Sequence, residues 1–246
     1  TAGALIVSDR GGFIYEPRVG VHDGVWEVDF FSLYPSIMVA HNISPETVMC
    51  SCCPRSSRTV PELGYRICEK RTGLVPRVLV PILNRRRAYK ELKKQGGHKG
   101  DMYDQRAKAL KWVLVTCFGY TGYRNARFGR IECHESITAF GRDILMRSAD
   151  IAERRGFEVL HGIVDSLWLK GDGNIRSYCE EIGREIGIPL NLEGRYEWIV
   201  FLPNISTGVG ALNRYYGKFE GGELKVRGIA VRRKDTPTLV EDLQHD

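Results

Sequence analysis

The chain has 246 residues, of which 43% are hydrophobic, so it can bury the core of one domain or of two closely packed ones. Its 36 Lys and Arg residues outnumber its 30 Asp and Glu residues, and the net charge of +6 is a mild bias toward a polyanionic partner. No apolar run approaches the ~18 residues of a membrane helix, and the first residues show no signal-peptide pattern. These features predict a cytoplasmic protein.

The first half of the chain predicts a strand from Val25 to Phe31, a short helix opened by Pro35, and a loop over residues 50–64. Two charged helices follow, over 81–95 and 104–118, with three glycines between them. This arrangement predicts a helical hairpin. One face of its second helix carries Lys108, Lys111 and Val115, so the hairpin should have a basic side.

The second half predicts a helix over 132–155, two strands that meet near residues 162–165, and a helix over 174–186. Further strands are expected over 198–202 and 223–231. This order of elements indicates an α+β fold, in which helices cover a mixed sheet and the hairpin projects from it.

Two carboxylates interrupt segments that otherwise read as buried strands. Asp29 lies between Val28 and Phe30, and Asp165 lies in an apolar run that ends at Trp168. Taken singly, each residue fits a purely structural role, as a strand-end cap for Asp29 and as a turn residue for Asp165. Together, on adjacent strand ends, they fit a site for two Mg²⁺ ions. No Walker A loop is present, which argues against a P-loop nucleotide hydrolase.

The basic side of the hairpin offers a second candidate site. Arg86 lies twelve residues before His98 at the tip and Lys111 lies thirteen after it, so the two should face each other at one level. Lys90 and Lys108 form a second pair that should face each other at one level. The positive charges of these pairs are suited to bind the phosphate oxygens of a triphosphate. A solvated, charged hairpin without a ligand is the alternative.

Three segments resemble the motifs of the family B DNA polymerases. The string DFFSLYPSI from Asp29 to Ile37 resembles motif A, residues 111–123 (KWVLVTCFGYTGY) resemble motif B, and residues 161–166 (HGIVDS) resemble motif C. The segments RNARFGRIECHESITAFGR and KVRGIAVRRKD are similar to the archaeal branch. The resemblance covers nearly the whole chain, from about Gly12 onward, and implies a mixed, mostly antiparallel palm sheet with a fingers hairpin.

The resemblance implies a template-directed DNA polymerase that uses two Mg²⁺ ions, with primer-template DNA and deoxynucleoside triphosphates (dNTPs) as partners. Asp29 and Asp165 would be catalytic and would bind metal with the Phe30 carbonyl. Tyr34 would be the steric gate against ribonucleotides. The nucleotide-binding residues would be Ser32, Leu33, Tyr34, Arg86, Lys90, Lys111 and Val115, and the DNA-binding residues would be Tyr120, Gly122, Arg214, Tyr215, Lys225 and Arg227.

The chain also departs from the family pattern. In motif C the first Asp is replaced by Ile163 and the Thr by Val164, and in motif B the Asn, Ser and Tyr are Val115, Thr116 and Phe118. A catalytically weakened or inactive polymerase-derived subunit, which binds DNA or acts as a scaffold, is therefore the alternative function.

The resemblance also predicts the domain organisation. Residues 1–80 would form the first part of the palm, 81–122 the fingers, 123–235 the second part of the palm, and 236–246 the start of a missing thumb. The chain begins at Thr1, so we expect a trimmed piece. It would work with the remaining polymerase domains (N-terminal, exonuclease and thumb) or with partner subunits, as a nucleoid-associated cytoplasmic protein.

Four of the seven cysteines gather at Cys50, Cys52, Cys53 and Cys68. Four thiolates could bind zinc, and a zinc-linked interaction module is a third hypothesis. The spacing lacks the second half of a Cys-x-x-Cys knuckle, so it does not favour zinc. A disulfide to Cys68 and free thiols are the alternatives, and the sequence favours free thiols.

Overall fold

The computed structural model describes residues 11–230 and 236–237. Most of the predicted thumb start, residues 236–246, and the last residue of the predicted strand over 223–231 lie outside these ranges. Within them the chain forms five helices and seven strands. The helices are α1 (Leu33–Ala40), α2 (Leu74–Lys94), α3 (Gly100–Thr121), α4 (Ile131–Arg154) and α5 (Ile175–Ile186). The strands are β1 (Ile14–Tyr15), β2 (Gly20–Phe30), β3 (Glu158–Ile163), β4 (Ser166–Lys170), β5 (Leu190–Pro203), β6 (Gly210–Phe219) and β7 (Leu224–Arg227).

The chain divides into two compact units. One unit contains residues 31–144 and therefore α1, α2 and α3, and we call it the helical unit. The other contains residues 13–30, 145–185 and 189–230 and therefore all the described strands, and we call it the sheet unit. None of the helices in the described ranges is both long and apolar enough to cross a membrane.

The sheet unit contains one seven-stranded sheet in the order β1-β3-β4-β2-β5-β6-β7. Every pairing between these strands is antiparallel, so the expectation of a mixed sheet was wrong for the described strands. Short turns join β3 to β4, β5 to β6 and β6 to β7, and a short turn can only connect antiparallel neighbours. The α+β class itself is confirmed.

The core of the sheet unit is an aromatic cluster. Trp168 of β4 packs edge-on against Tyr215 and Phe201, with ring centroids 5.2 Å and 6.2 Å away. Tyr196 and Phe219 stack at 4.0 Å. Strand β6, which supplies Tyr215 and Phe219, was missed by the sequence analysis because its polar residues and two glycines hide the alternation that marks a strand.

The helical unit contains the expected hairpin, formed by α2 and α3. Lys93 pairs with Asp104 at 2.7 Å, and Tyr89 stacks on Tyr103 at 5.9 Å, so the two helices run side by side with the turn near His98. Hydrogen bonds from Lys108 and Lys93 lower the pKa of Asp104 to about 2. Lys93 lies five residues before His98 and Asp104 lies six after it, the same difference of one residue by which Arg86 and Lys111 are predicted to face each other.

Helix α2 begins at Leu74, seven residues before the predicted start at Pro81. Proline usually opens a helix, but here Pro81 lies inside one. Leu79 and Leu83 are buried at a spacing of four residues on both sides of the proline, so one apolar face continues through it. Burial of this face outweighs the lost backbone hydrogen bond.

A buried ion pair lies within the sheet unit. The Glu27 carboxylate, which is 3% exposed, accepts hydrogen bonds from Lys225 Nζ at 2.5 Å and from the Tyr196 hydroxyl at 2.7 Å. A buried carboxylate is costly unless it is paired and hydrogen-bonded, so the strand residue Glu27 depends on Lys225 of β7. The contact ties the edge strand to the centre of the sheet.

We predict that Lys225→Met lowers the free energy of unfolding by on the order of 3 kcal/mol, because it leaves the buried Glu27 charge without its cation. The double variant with Glu27→Gln should recover most of the loss, since the amide still accepts the Tyr196 hydrogen bond. Lys218→Met is the control, because the Lys218–Glu197 pair is exposed. Equal losses for both lysine variants in denaturant titrations would contradict a special role for the buried pair.

Candidate active site

The two predicted carboxylates lie on neighbouring strands of the sheet. Asp29 is opposite Ser166 in the β2–β4 ladder, and Ser166 Oγ donates a hydrogen bond of 3.0 Å to Asp29 Oδ2. Asp165 directly precedes Ser166, and its carbonyl oxygen accepts a 2.8 Å hydrogen bond from the Phe30 amide. The end of β2 and the β3–β4 turn are thus hydrogen-bonded to each other. Both carboxylates are half-buried, at the same end of the β2–β4 strand pair.

The turn that carries Asp165 has an unusual backbone. Val164 has φ 55°, a left-handed conformation that β-branched residues rarely adopt and that costs of order 1 kcal/mol or more. The Val164 amide donates to the Phe13 carbonyl at 3.2 Å and the Asp165 amide to the Ile163 carbonyl at 2.6 Å. These bonds hold a two-residue turn whose strain lies next to the candidate catalytic carboxylate.

The residues that follow Asp29 leave the strand through a second strained turn. Ser32 has φ 47°, and its carbonyl accepts the Ser36 amide at 3.0 Å to begin α1. Ser36 Oγ donates to the Phe31 carbonyl at 2.8 Å. Leu33, one of the predicted nucleotide-binding residues, is 2% exposed. Only its backbone can therefore be offered to a ligand at this turn.

Three cations of α2 surround the Phe31 ring. The guanidinium groups of Arg86 and Arg87 lie 5.0 Å and 5.3 Å from the ring centroid, and Lys90 Nζ lies 5.9 Å away. Arg86 also donates a hydrogen bond to Ser32 Oγ. Predicted residues Arg86, Lys90 and Ser32 are therefore brought together beside the turn that follows Asp29. Sequence analysis missed Arg87, although its place three residues before Lys90 puts both side chains on one face of the helix.

Tyr34 lies in a stack of three rings within the helical unit. Its ring centroid is 4.2 Å from that of Phe118, which stacks on His134 at 4.5 Å. Gly141 lies beside Tyr34, where an added Cβ would be 3.0 Å from Tyr34 Cε1. His134 and Gly141 were missed by sequence analysis, since their closeness to Tyr34 depends on how α4 packs on α1.

The remaining predicted residues divide by exposure. Lys111, Val115 and Tyr120 are exposed on α3. Gly122 lies against His134, and a Cβ there would be 2.9 Å from the ring nitrogen Nδ1. Lys108 forms a 2.7 Å ion pair with Asp104 on its own helix.

The predicted DNA-binding residues on β6 and β7 also differ in exposure. Arg214 and Arg227 are exposed. Tyr215 is 4% exposed in the aromatic cluster, and the Lys225 ammonium is paired with Glu27. The two arginines therefore offer their charged groups to solvent, whereas Tyr215 and Lys225 have packing and pairing roles within the sheet unit.

The four clustered cysteines come together in the loop between α1 and α2. Cys52 Sγ lies 3.5 Å from Cys68 Sγ, and burial of Cys68 would raise its pKa, but backbone amides of Lys70 and Arg71 and the neighbouring thiols lower it to about 6. By contrast, burial raises the pKa of Cys133 to about 12. The Cys68 thiol therefore ionises more readily than the thiol of Cys133, which lies in α4.

Comparison with known proteins assigns the family. Residues 8–177 match the model of "DNA polymerase family B", and the chain belongs to this family. The chain is 38% identical over 242 residues to DNA polymerase 2 of Saccharolobus solfataricus, with 98% of this chain and 35% of that protein covered. It is 33% identical over 246 residues to the DNA polymerase of Archaeoglobus fulgidus, with 97% and 30% covered. The predicted resemblance is confirmed.

A solved structure supports the fold. The family B DNA polymerase from the hyperthermophilic archaeon Pyrobaculum calidifontis matches 90% of this chain with a TM-score of 0.70 and 30% identity, and the match covers 29% of that chain. The chain thus spans about a third of the length of the relatives that it matches.

Proposed function

We propose that the chain is the palm and fingers of a template-directed DNA polymerase, which adds deoxynucleotides to a primer 3′-hydroxyl. The observation that carries the proposal is the hydrogen-bonded pairing of the β2 end with the β3–β4 turn, which brings Asp29 and Asp165 to one edge of the sheet. Both residues lie within the family match.

The carboxylates of Asp29 and Asp165, with the Phe30 carbonyl, would hold two Mg²⁺ ions. The donor set fits, because Mg²⁺ prefers oxygen ligands and needs only one or two carboxylates beside the phosphates of the substrate. Ser166 donates a hydrogen bond to one Asp29 oxygen, which orients the carboxylate. When bound, the two ions would activate the attacking hydroxyl and stabilise the leaving pyrophosphate.

The helical unit would bind the incoming nucleotide. Arg86 and Lys90 lie together around Phe31, and Lys111 is exposed on α3 at the level of Arg86 along the hairpin. Guanidinium and ammonium groups neutralise phosphate oxygens and orient them, which is most of what the protein contributes to such a transfer. The Tyr34 ring, held by Phe118, would lie under the sugar and exclude a 2′-hydroxyl.

Exposed residues of both units would contact primer-template DNA. Arg214 and Arg227 offer charges for the phosphate backbone, and Tyr120 offers an exposed ring on α3. Gly122 would allow close approach of the backbone. Because the relatives are about three times as long as this chain, N-terminal, exonuclease and thumb domains or partner subunits would supply the rest of the grip on DNA.

A second function, that of a polymerase-derived subunit without catalysis, is favoured by one observation. Ile163 occupies the position of the first motif C Asp and ends β3 beside the turn, so one carboxylate of the family pattern is missing from the site. Retention of Asp29, Asp165, Tyr34 and Arg86 favours catalysis, because a scaffold has no need of metal and triphosphate ligands. Binding of a dNTP that depends on a divalent cation separates the two functions.

We predict that Asp29→Asn and Asp165→Asn each reduce primer extension by about a thousandfold or more, because charge that neutralises the metals is worth several kcal/mol. Asp23→Asn, an exposed change on the same strand as Asp29, should leave the rate within about twofold. The assay uses the polymerase that contains this chain, with Mg²⁺ and a labelled primer. Substantial extension by either active-site variant would exclude the two-metal assignment.

Removal of the Tyr34 ring should relax sugar selection. We expect Tyr34→Ala to raise ribonucleotide use relative to deoxynucleotide use by at least about tenfold, since selectivity is a difference of transition-state affinities. Tyr34→Phe keeps the ring and its contact with Phe118, so it should keep the selectivity. The ratio of kcat/KM for matched ribo- and deoxynucleotides measures the effect. An unchanged ratio in an active Ala variant would mean that Tyr34 is a packing residue only.

The hairpin cations should differ by position. Arg86→Ala and Lys111→Ala should each lower kcat/KM for dNTP by about ten- to a hundredfold, because each loses a charge-assisted hydrogen bond to phosphate. Lys94→Ala removes the same charge near the tip, where Lys94 is 69% exposed and pairs with Glu91, and should have little effect. If all three variants lose activity equally, the hairpin acts through bulk charge and not through a triphosphate site.

A further inference from the structure

The sulfur atoms of the four clustered cysteines lie in contact with one another. Cys52 Sγ is 3.4 Å from Cys50 Sγ, 3.8 Å from Cys53 Sγ and 3.5 Å from Cys68 Sγ, and Cys53 and Cys68 are 3.7 Å apart. All four sulfurs lie within 4.8 Å of one another. We propose that Cys50, Cys52, Cys53 and Cys68 bind one structural Zn²⁺ ion. This site is separate from the carboxylate site.

The spacing of the sulfurs fits a single tetrahedral ion. A Zn–S bond of about 2.3 Å places the corners of a regular tetrahedron about 3.8 Å apart, close to the four distances here. A disulfide needs sulfurs about 2.0 Å apart, and no cysteine of this loop is in such a bond. In an iron–sulfur cluster the four thiolates are divided between two or four irons, which holds thiolates on different irons farther apart than the corners of one tetrahedron. The geometry therefore favours one ion with four thiolate ligands.

The loop that carries the cysteines is arranged before any metal is bound. An antiparallel bridge between Val48 and Ile67 brings the two ends of the loop together, and the Cys68 amide donates to the Thr47 carbonyl at 2.9 Å. Ser56 Oγ donates to the Ile67 carbonyl at 2.7 Å. Because these bonds bring Cys68 back beside the Cys50–Cys53 segment, the fold supplies the second half of the site that the sequence spacing lacks.

Local charge also suits four thiolates. A zinc ion with four thiolates carries a net charge of −2, and residues 50–71 contain five cations and two acids. One of the two acids, Glu69, accepts hydrogen bonds from Ser56 and Ser57 within the loop. The segment therefore has a positive net charge before the thiolates are counted.

The four ligands leave no open position for substrate, so the ion would be structural. It would join the two arms of a segment that has neither a helix nor a regular strand between Ala40 and Leu74. Its backbone hydrogen bonds lie in turns and isolated bridges, and the free energy of metal binding would add to its stability.

The test is the metal content of the chain, expressed with added zinc and purified without a metal-binding tag. We expect one zinc per chain by elemental analysis for the native sequence. Cys52→Ser and Cys68→Ser should bring zinc close to zero. Cys179→Ser, a half-buried cysteine in α5, should retain the full equivalent. Exchange of the metal for Co²⁺ should give the visible absorption of tetrahedral cobalt thiolate in the native chain and the Cys179→Ser control alone.

A second measurement keeps the proposal falsifiable if a serine variant fails to fold. After chelation and denaturation, the native chain should show all seven thiols, and chelation alone should lower its melting temperature. A chain that lacks zinc and is lighter by about two mass units per disulfide would overturn the proposal in favour of crosslinks. Iron in place of zinc, or zinc retained equally by all three serine variants, would also overturn it.

Discussion

Antiparallel pairing of β2 with β4 is the constraint on which the candidate site depends. Asp29 is the last but one residue of β2, and the ladder places it opposite Ser166, so Asp165 must be in the turn beside it. A shift of the register by one residue would turn every side chain of β4 to the other face and separate the carboxylates. Leu167 and Trp168 are both buried, on opposite faces of the sheet, so such a shift would also exchange two side chains of very different volume between two packed faces.

Two strained backbone positions lie close to the candidate carboxylates, and neighbouring contacts hold both of them. Ser32 and Val164 both adopt left-handed conformations, and each stands within three residues of a candidate catalytic carboxylate. A left-handed residue other than glycine persists only where surrounding contacts compensate for it. Ser32 is held by Arg86 and by the first turn of α1, and Val164 by the Phe13 carbonyl. The backbone thus turns sharply three residues after Asp29 and immediately before Asp165.

Two kinds of charged group coexist in the chain, and their surroundings decide what each does. Lys225 neutralises the buried Glu27 and contributes to stability, whereas Arg86 and Lys90 lie over the Phe31 ring beside the turn that follows β2. A cation within about 6 Å of a ring centroid is attracted to the negative face of the ring, so Phe31 helps to hold both side chains in place. The Glu27–Lys225 pair, in contrast, is what a sheet with a buried acid requires.

Much of this protein could be predicted from local sequence. The hairpin of α2 and α3, the strands on both sides of Asp165 and the unusual positions of Asp29 and Asp165 are short-range patterns, which periodicity and propensity detect. The motif strings were enough to identify the family. The start of α2 could not be predicted, because burial of one continuous apolar face overrides the tendency of Pro81 to begin a helix.

Only the tertiary structure decided which residues meet across long separations. The antiparallel order of all the described strands, the contact of His134 with Phe118 and the pairing of Lys225 with Glu27 depend on packing between distant segments. The cysteines show the reason most clearly. Their spacing argued against a zinc site, but the bridge between Val48 and Ile67 places Cys68 beside the other three. Ligand geometry depends on distance in space, and a spacing motif records that distance only when the ligands share one short turn.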